Sequence, residues 1–311
     1  MGQRNIDGKL KTLTAKSSPV RRLQNLRAIR AAAFTYAGAL LLGLLILAPF
    51  LWLFITSISP RYELAAAPPH WAPQHPTFLN YQKLLNPSGS AAFTSGEIPP
   101  FGEAFKNSLA VAVAVTLVCL LLGSLAAYAL ARARSRSADR LIYLTIGLRM
   151  VPEISLVIPL YILLRRFGLI DTRFGLFLVY ASFTLPFVIW IMQGYFRTIP
   201  RELEEAAAID GCSRSQALLR IVAPLSLPGM VATGLFTFLL AWDEFLFALL
   251  FTATYSSKTI TVAISEFTTR HLIDYGLMAT GGILAAIPPV LIALVFQKKI
   301  IQGLTAGAVK G

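Results

Sequence analysis

Charge-free apolar stretches alternate with short polar connectors along the chain, and the stretches have the length of membrane crossings. Ala31 to Pro60, Asn107 to Ala131, Phe174 to Phe196, Ile221 to Trp242 and Tyr275 to Gln297 carry no charged side chain. Each is long enough to cross the roughly 30 Å hydrocarbon core of a bilayer as a helix. A sixth apolar run, Leu141 to Leu164, is interrupted by Arg149 and Glu153. The pattern predicts an all-α polytopic membrane protein with six transmembrane helices, and an even number returns the chain to its starting side.

Two connectors depart from the apolar theme. Ser57 to Glu103 contains Pro68, Pro69, Pro73, Pro76, Pro87, Pro99 and Pro100, a density that forbids long helices and predicts an extended, turn-rich segment with a short helix near Asn80 to Leu85. Within it, residues 86–100 read as an insertion rich in Ser, Gly and Ala. The second connector, Arg197 to Pro228, has helix punctuation at both ends. Pro200 pre-sets the first turn, Glu202, Glu204 and Glu205 complement the positive end of a helix dipole, and Gly211 is placed to end the helix. One short helix is therefore expected at about 201 to 210. Ser213 to Gln216 has capping-box spacing and predicts a second at about 214 to 221, which Pro224 and Pro228 stop. This helix-turn-helix on the membrane surface is either a docking element or an amphipathic loop resting on lipid.

Net charge, formally +13 among 311 residues, changes the picture only through its distribution. With a mean hydropathy of +0.65, the chain leaves no room for a soluble domain of any size. Lys and Arg cluster at residues 1–30, 132–140, 197–220 and 298–311, 19 in all, against 8 in the alternate connectors. That asymmetry places both termini and the Glu205 connector in the cytoplasm, makes anionic lipid the partner of the charge, and removes the argument for nucleic acid. The organisation that follows is a basic cytoplasmic tail (1–30), in which Val20 to Ile29 reads as a short surface helix, and a transmembrane domain (31–311). The domain includes an external segment (57–103), the connector at 197–228 and a cytoplasmic tail (298–311). The first apolar run greatly exceeds a signal-peptide core and is expected to stay as an uncleaved anchor.

Candidate chemistry is sparse. Arg149 and Glu153 could pair across i, i+4 with a kink at Pro152, and an ionisable residue at this depth must face protein or water. The pair reads equally as a pathway lining, a hinge or a buried packing pair. Trp242, Asp243 and Glu244 end the fifth run with two acids, a second candidate lining of a translocation pathway. Gly123, Ala126, Ala127 and Ala131 are spaced for close helix contact. Cys119 and Cys212 fall in a span and in a connector, so no disulfide or metal site is implied; His271 stands alone. Catalytic, cofactor-binding and metal residues are expected to be absent. Gly8-Lys9 is followed by Leu10, so there is no phosphate loop for ATP hydrolysis.

Glu205-Ala206-Ala207, three residues, Gly211, nine residues, Ile221 and then Pro224 resembles the EAA motif of the membrane subunits of ATP-driven (ABC) importers. The usual ending is Ile-x-Leu-Pro, and this chain has Ile-Val-Ala-Pro. The resemblance extends over residues 31–311. Pro76 to Leu85, Ala126 to Arg132, Ile158 to Tyr161, Phe167 to Thr172 and the tail Gly303 to Gly311 are similar to maltose-type sugar permeases. Trp242-Asp243-Glu244-Phe245 departs from that group in having Asp243 where Asn is common.

The resemblance implies a permease subunit of a bacterial, binding-protein-dependent carbohydrate importer of type I fold in the inner membrane. It assigns Glu205, Ala206, Ala207, Asp210, Gly211, Ser213, Ile221 and Pro224 to docking on a separate ATPase. Its implied partners are two ATPase subunits that bind the ATP, a second permease of different sequence and an extracytoplasmic solute-binding protein. A secondary transporter is the alternative class, disfavoured by the absence of internal repeats. A permease for a non-carbohydrate solute and a structural membrane scaffold are the other readings.

Overall fold

The computed structural model describes residues 19–66, 71–85, 100–133, 135–268 and 273–306. The expectations for residues 1–18, for 86–99, for His271 and for 307–311 lie outside them. Among the described residues four helices are long and apolar enough to cross a membrane as single pieces: Ala32–Ile58, Phe101–Arg132, Arg173–Thr198 and Tyr275–Ile301. Two further pairs meet at sharp bends, Arg136–Leu148 with Glu153–Arg166 at 93° and Arg214–Leu225 with Leu227–Trp242 at 77°. Counting each bent pair as one crossing gives six.

The first helix, α1 (Pro19–Ile58), begins on a proline, the residue whose missing N–H costs nothing at a helix start. The basic segment expected as a separate surface helix is instead continuous with the first crossing. To Ile55 this helix forms one unit; a second unit begins at Thr56. In the second unit, α2 (Arg61–Leu64) and α3 (Leu79–Leu85) are the helical turns of the proline-rich segment. Glu63, buried, accepts from the amides of Gln74 and His75, both at 2.9 Å, which folds that segment back on itself.

The packed core is built on α4 (Phe101–Arg132). Its buried residues Ala104, Ser108, Val111, Val115, Cys119, Gly123, Ala127 and Ala131 recur at spacings of three and four, one face of the helix. Small residues on that face bring α7 (Arg173–Thr198) close: a Cβ at Gly123 would stand 2.6 Å from Val188 Cγ1. This is the close contact expected at Gly123; of the other three positions in that expectation, Ala127 and Ala131 are buried on the same face and Ala126 is half-buried.

Between these two, α5 (Arg136–Leu148) and α6 (Glu153–Arg166) replace the kink expected at Pro152 with a complete break. After α7 come the connector helices α8 (Glu202–Ile209) and α9 (Arg214–Leu225), then α10 (Leu227–Trp242). Here two expectations are corrected. Helix α9 does not stop before Pro224 but carries it near its end, and a π-helical stretch over Leu218–Val222 shifts the hydrogen-bond register just upstream, where proline supplies no donor. The apolar run from Ile221 is consequently not one straight crossing, because the chain turns at Ser226 and Pro228 sits in the first turn of α10.

The chain closes with α11 (Leu246–Phe251), α12 (Ile260–Ser265) and α13 (Tyr275–Ala306). Pro289 inside α13 has no N–H for the Ala285 carbonyl four residues earlier. The indole Nε1–H of Trp242 donates to that carbonyl at 3.1 Å and joins α10 to α13.

Opposite the α8–α9 connector, at the other end of α7, Asp171 ties two loops together. Its backbone has a φ of 58°, and its carboxylate accepts from the amides of Ala253 (2.9 Å) and Thr254 (3.0 Å), from the Thr254 hydroxyl (2.7 Å) and from Ser257. Although partial desolvation pushes the carboxyl up, these donors outweigh it and hold its pKa down at about 2. A depressed carboxylate contributes stability above its unfolded pKa of about 3.9, lost as pH falls through the folded value. Amide exchange at Ala253 and Thr254, corrected for intrinsic rate, is therefore expected to stay protected down to about pH 3 and to lose protection near pH 2. Asp171→Ala, which removes the acceptor, should be unprotected at every pH; equal protection in the variant would contradict this role.

Candidate functional site

The helical connector expected around Glu205 forms with local logic. Glu202, Glu204 and Glu205 occupy the first turn of α8, where the helix dipole favours them. At its other end the amides of Asp210, Gly211 and Cys212 return to the carbonyls of Ala206 (3.1 Å), Ala208 (3.1 Å) and Ala207 (2.9 Å). Gly211 takes a φ of 84°, the left-handed region where a β-carbon is strained. Ser213 then completes the expected capping box: its hydroxyl accepts from the Gln216 amide at 3.3 Å, and its own amide donates to Gln216 Oε1 at 2.8 Å.

Burial divides the connector into an inner and an outer side. Ala207 and Ala217 are buried. Glu205, Ala206, Asp210, Gly211, Ser213 and Pro224 are exposed, and Ile221 is half-buried. Large apolar side chains stand out among the exposed ones, with Ile209 87% exposed, Leu219 69% and Leu225 55%. An apolar surface of this kind, flanked by the exposed charges Glu202, Glu205, Asp210, Arg214 and Arg220, is suited to docking against another protein.

What holds the connector to the crossings was not visible in the sequence. Arg132, the last residue of α4, sends Nε to Glu204 Oε1 at 2.6 Å and Nη2 into an ion pair with the same carboxylate. Its Nη1 donates to the Phe196 carbonyl at 2.9 Å and Nη2 to that of Ile199 at 3.3 Å. Tyr128, one turn earlier, donates its hydroxyl to Glu204 Oε2 at 2.6 Å and packs edge-on against Phe196. From the connector side, Arg201 donates to the Ala131 carbonyl at 3.2 Å. Both members of the Arg132–Glu204 pair are only 15% exposed. Four charge-assisted bonds through one guanidinium make a rigid joint between α4, the end of α7 and α8. Ala126 to Arg132 reads in sequence only as a packing string; an arginine closing a crossing, with an acid free on a nearby helix start, is the one signal that pointed to it.

The residues considered for a translocation pathway separate into three places. Arg149 and Glu153 do not pair. The helix breaks between them, which removes the i, i+4 geometry, and the Arg149 guanidinium instead lies 5.1 Å from the centroid of the Phe187 ring. Both residues are exposed in this chain rather than turned into its packed core. Trp242 is 2% exposed and packs against Phe238 and Phe105, so in this structure it is a packing residue. Asp243, exposed, ends α10, whereas the Glu244 carboxylate accepts from the amides of Phe247 (2.8 Å) and Ala248 (3.1 Å) and starts α11. Among the described residues no group of His, Cys, Asp and Glu is arranged to hold a metal ion.

Comparison with known proteins gives a consistent result. Residues 106–306 match the family described as binding-protein-dependent transport system inner membrane component. The chain is 37% identical to the trehalose/maltose transport system permease protein MalG of Thermococcus litoralis, over 88% of this chain and 95% of that one. It is 36% identical to the trehalose transport system permease protein SugB of Mycobacterium tuberculosis, over 91% and 98%. Among solved structures, a chain of a bacterial ABC transporter involved in the import of the acidic polysaccharide alginate superposes with a TM-score of 0.69 at 22% identity, covering 86% of this chain and 96% of that one. The MetNI methionine ABC transporter superposes with a TM-score of 0.53 at 16% identity, covering 65% and 95%. At those identities the structural likeness establishes the fold, that of type I ABC importer permeases.

Proposed function

Because the chain belongs to the family of binding-protein-dependent transport system inner membrane components, we propose that it is the membrane-spanning permease subunit of an ATP-driven importer for a sugar or sugar derivative. The observation that carries the coupling half of this reading is the α8–α9 connector: turned at Gly211, restarted by the Ser213 capping box, apolar and charged on its exposed side, and joined to α4 through Arg132 and Glu204. The sugar half rests on the trehalose/maltose and trehalose permeases as relatives. Carbohydrate is thereby favoured over the other solutes and over a secondary transporter.

In this reading the chain supplies half of the pathway. Six crossings do not enclose a route for a sugar alone, so a second permease completes it, with two ATPase subunits binding the ATP and an extracytoplasmic protein delivering the substrate. Glu205, Ala206, Ala207, Asp210, Gly211, Ser213, Ile221 and Pro224 present or shape the surface that meets the ATPase. Closure of the ATPase pair displaces α8 and α9 as a rigid body, and the Arg132 joint passes the movement to α4 and α7. Both termini and the connector lie in the cytoplasm, on the side that the clustered Lys and Arg residues favour.

Topology provides the test. A tag fused at residue 311 and a thiol label at Glu205→Cys should be reached only from the cytoplasmic face, and a tag inserted at residue 90 only from outside. Labelling of the Glu205 position from outside would overturn the assignment.

A further inference from the structure

The far end of the connector is built as firmly as its start. At the corner between α9 and α10 the amide and the hydroxyl of Ser226 both donate to the Val222 carbonyl, at 2.9 and 2.8 Å, and the Met230 amide donates to the Ser226 carbonyl at 2.9 Å. Val222 and Ser226 are both buried. Hydrogen bonds thus bridge the 77° turn, so the first turn of α10 follows α9 when α9 moves.

That first turn carries Gly229, which lies directly against α7. A Cβ at Gly229 would stand 2.5 Å from Cδ1 and Cε1 of the Tyr195 ring and 2.6 Å from its Cγ. No β-carbon fits there without moving one helix, so glycine is what lets the α10 backbone rest on the ring. One turn along α10, the Thr233 hydroxyl donates to the Gly229 carbonyl at 2.8 Å and lies 3.5 Å from Met192 Sδ, one turn back on α7. The two helices are therefore in contact over successive turns.

Tyr195 also stands next to Phe196, whose carbonyl is held by Arg132. The last turn of α7 is thus gripped from both ends of the connector, by the polar Arg132–Glu204 joint at the start of α8 and by the Gly229 seat just past the end of α9. A single joint leaves a helix free to swivel about it, whereas two joints at opposite ends of a rigid helix pair do not. Resting on the importer reading above, we propose that Gly229 and Tyr195 form a second coupling joint, a steric seat that makes the inner end of α7 and the first turn of α10 move as one body during transport. Both are positioning residues, acting through the helices that carry them.

The test uses the assembled importer in proteoliposomes, with Cys119 and Cys212 replaced by Ser, and reads trehalose or maltose taken up per ATP hydrolysed. Gly229→Ala inserts the missing Cβ, forces the helices apart and is expected to lower that ratio about tenfold. Tyr195→Ala empties the seat and should lower it as well, whereas Tyr195→Phe keeps every ring carbon and should match the parent. Unaltered coupling in Gly229→Ala or Tyr195→Ala overturns the joint. A second measurement does not depend on the cargo. In the variant carrying both Tyr195→Cys and Gly229→Cys the two β-carbons stand at most about 4 Å apart, a separation that a disulfide spans. Oxidation by copper phenanthroline, followed through loss of maleimide-reactive thiols, should close this bond at the same rate in nucleotide-free and vanadate-trapped complexes. The covalent link should also recover most of the coupling that the reduced variant has lost. A bond that does not form, that forms in only one of the two states, or that arrests ATP-driven uptake means that the two helices separate, and overturns the proposal. Failure of the unaltered importer to take up either sugar counts against the carbohydrate reading instead, and the bond-formation rates still decide the joint.

Discussion

Replacing Arg132 by alanine is expected to abolish uptake by the assembled importer and to lower its unfolding midpoint. The arginine satisfies both the Glu204 carboxylate and the carbonyls that end α7, and all of these are mostly shielded from water. Removing one member of a buried pair typically costs about 3–5 kcal/mol, because the remaining charge stays buried without its partner. With 15% of each side chain still exposed, the lower end of that range applies. Glu204→Ala alone should cost less, since an arginine can turn its guanidinium to water and keep its carbonyl contacts. The double variant should be more stable than Arg132→Ala, with a coupling energy above about 1 kcal/mol in a double-mutant cycle. Arg132→Lys preserves charge but not the forked geometry, so stability should partly recover while uptake stays low. Strict additivity of the two alanine substitutions would show that the joint does not work as a unit.

Gly211→Val and Glu205→Lys are expected to separate ATP hydrolysis from transport, and they do so for different reasons. A β-carbon added at Gly211 would meet nothing within 4 Å, so the effect is not a clash; it is the cost of holding a β-branched residue at a φ of 84°, at least about 1–2 kcal/mol. That strain unwinds the turn between α8 and α9 and moves both helices. Glu205 is exposed and makes no ion pair among the described residues, so reversing its charge changes the fold by only about 0.3–1 kcal/mol through the helix dipole. A like-charge contact with a basic partner surface costs several kcal/mol, which is more than tenfold in association. Both proteins should insert normally. Substrate-stimulated ATPase activity and uptake, measured side by side, should fall out of proportion, with uptake down at least about tenfold. Wild-type values in both assays would return the connector to an ordinary surface loop.

These two expectations also show what a sequence can and cannot carry. The limits of α8, the Gly211 turn and the Ser213 capping box were all legible because each depends on hydrogen bonds reaching only three or four residues. The crossings were legible from hydropathy, but their shape was not. Pro152 reads as a kink, yet the chain breaks by 93° there, since Pro152 itself takes an extended conformation (ψ of 126°) and offers no amide to continue the helix. Similarly, the apolar run from Ile221 hides a 77° turn at Ser226. Side chains that act across long distances were misread or missed. Trp242 looked like a pathway residue, and its partner is a carbonyl on α13 that Pro289 leaves without a donor. Arg132 looked like the end of a packing string, and Arg149 like half of an ion pair, because their contacts lie on helices that composition cannot bring together.

The central claim is that the exposed side of α8 and α9 meets an ATPase subunit. Ile209, 87% exposed on that side and outside the Arg132 joint, is the position to ask. With Cys119 and Cys212 replaced by Ser, Ile209→Cys in inverted membrane vesicles should react readily with a maleimide when the permease is present without its ATPase, and be shielded once the ATPase subunit is added. A short bifunctional maleimide should then join the two chains. An unchanged labelling rate in the presence of the ATPase, with no cross-linked product, would contradict the account.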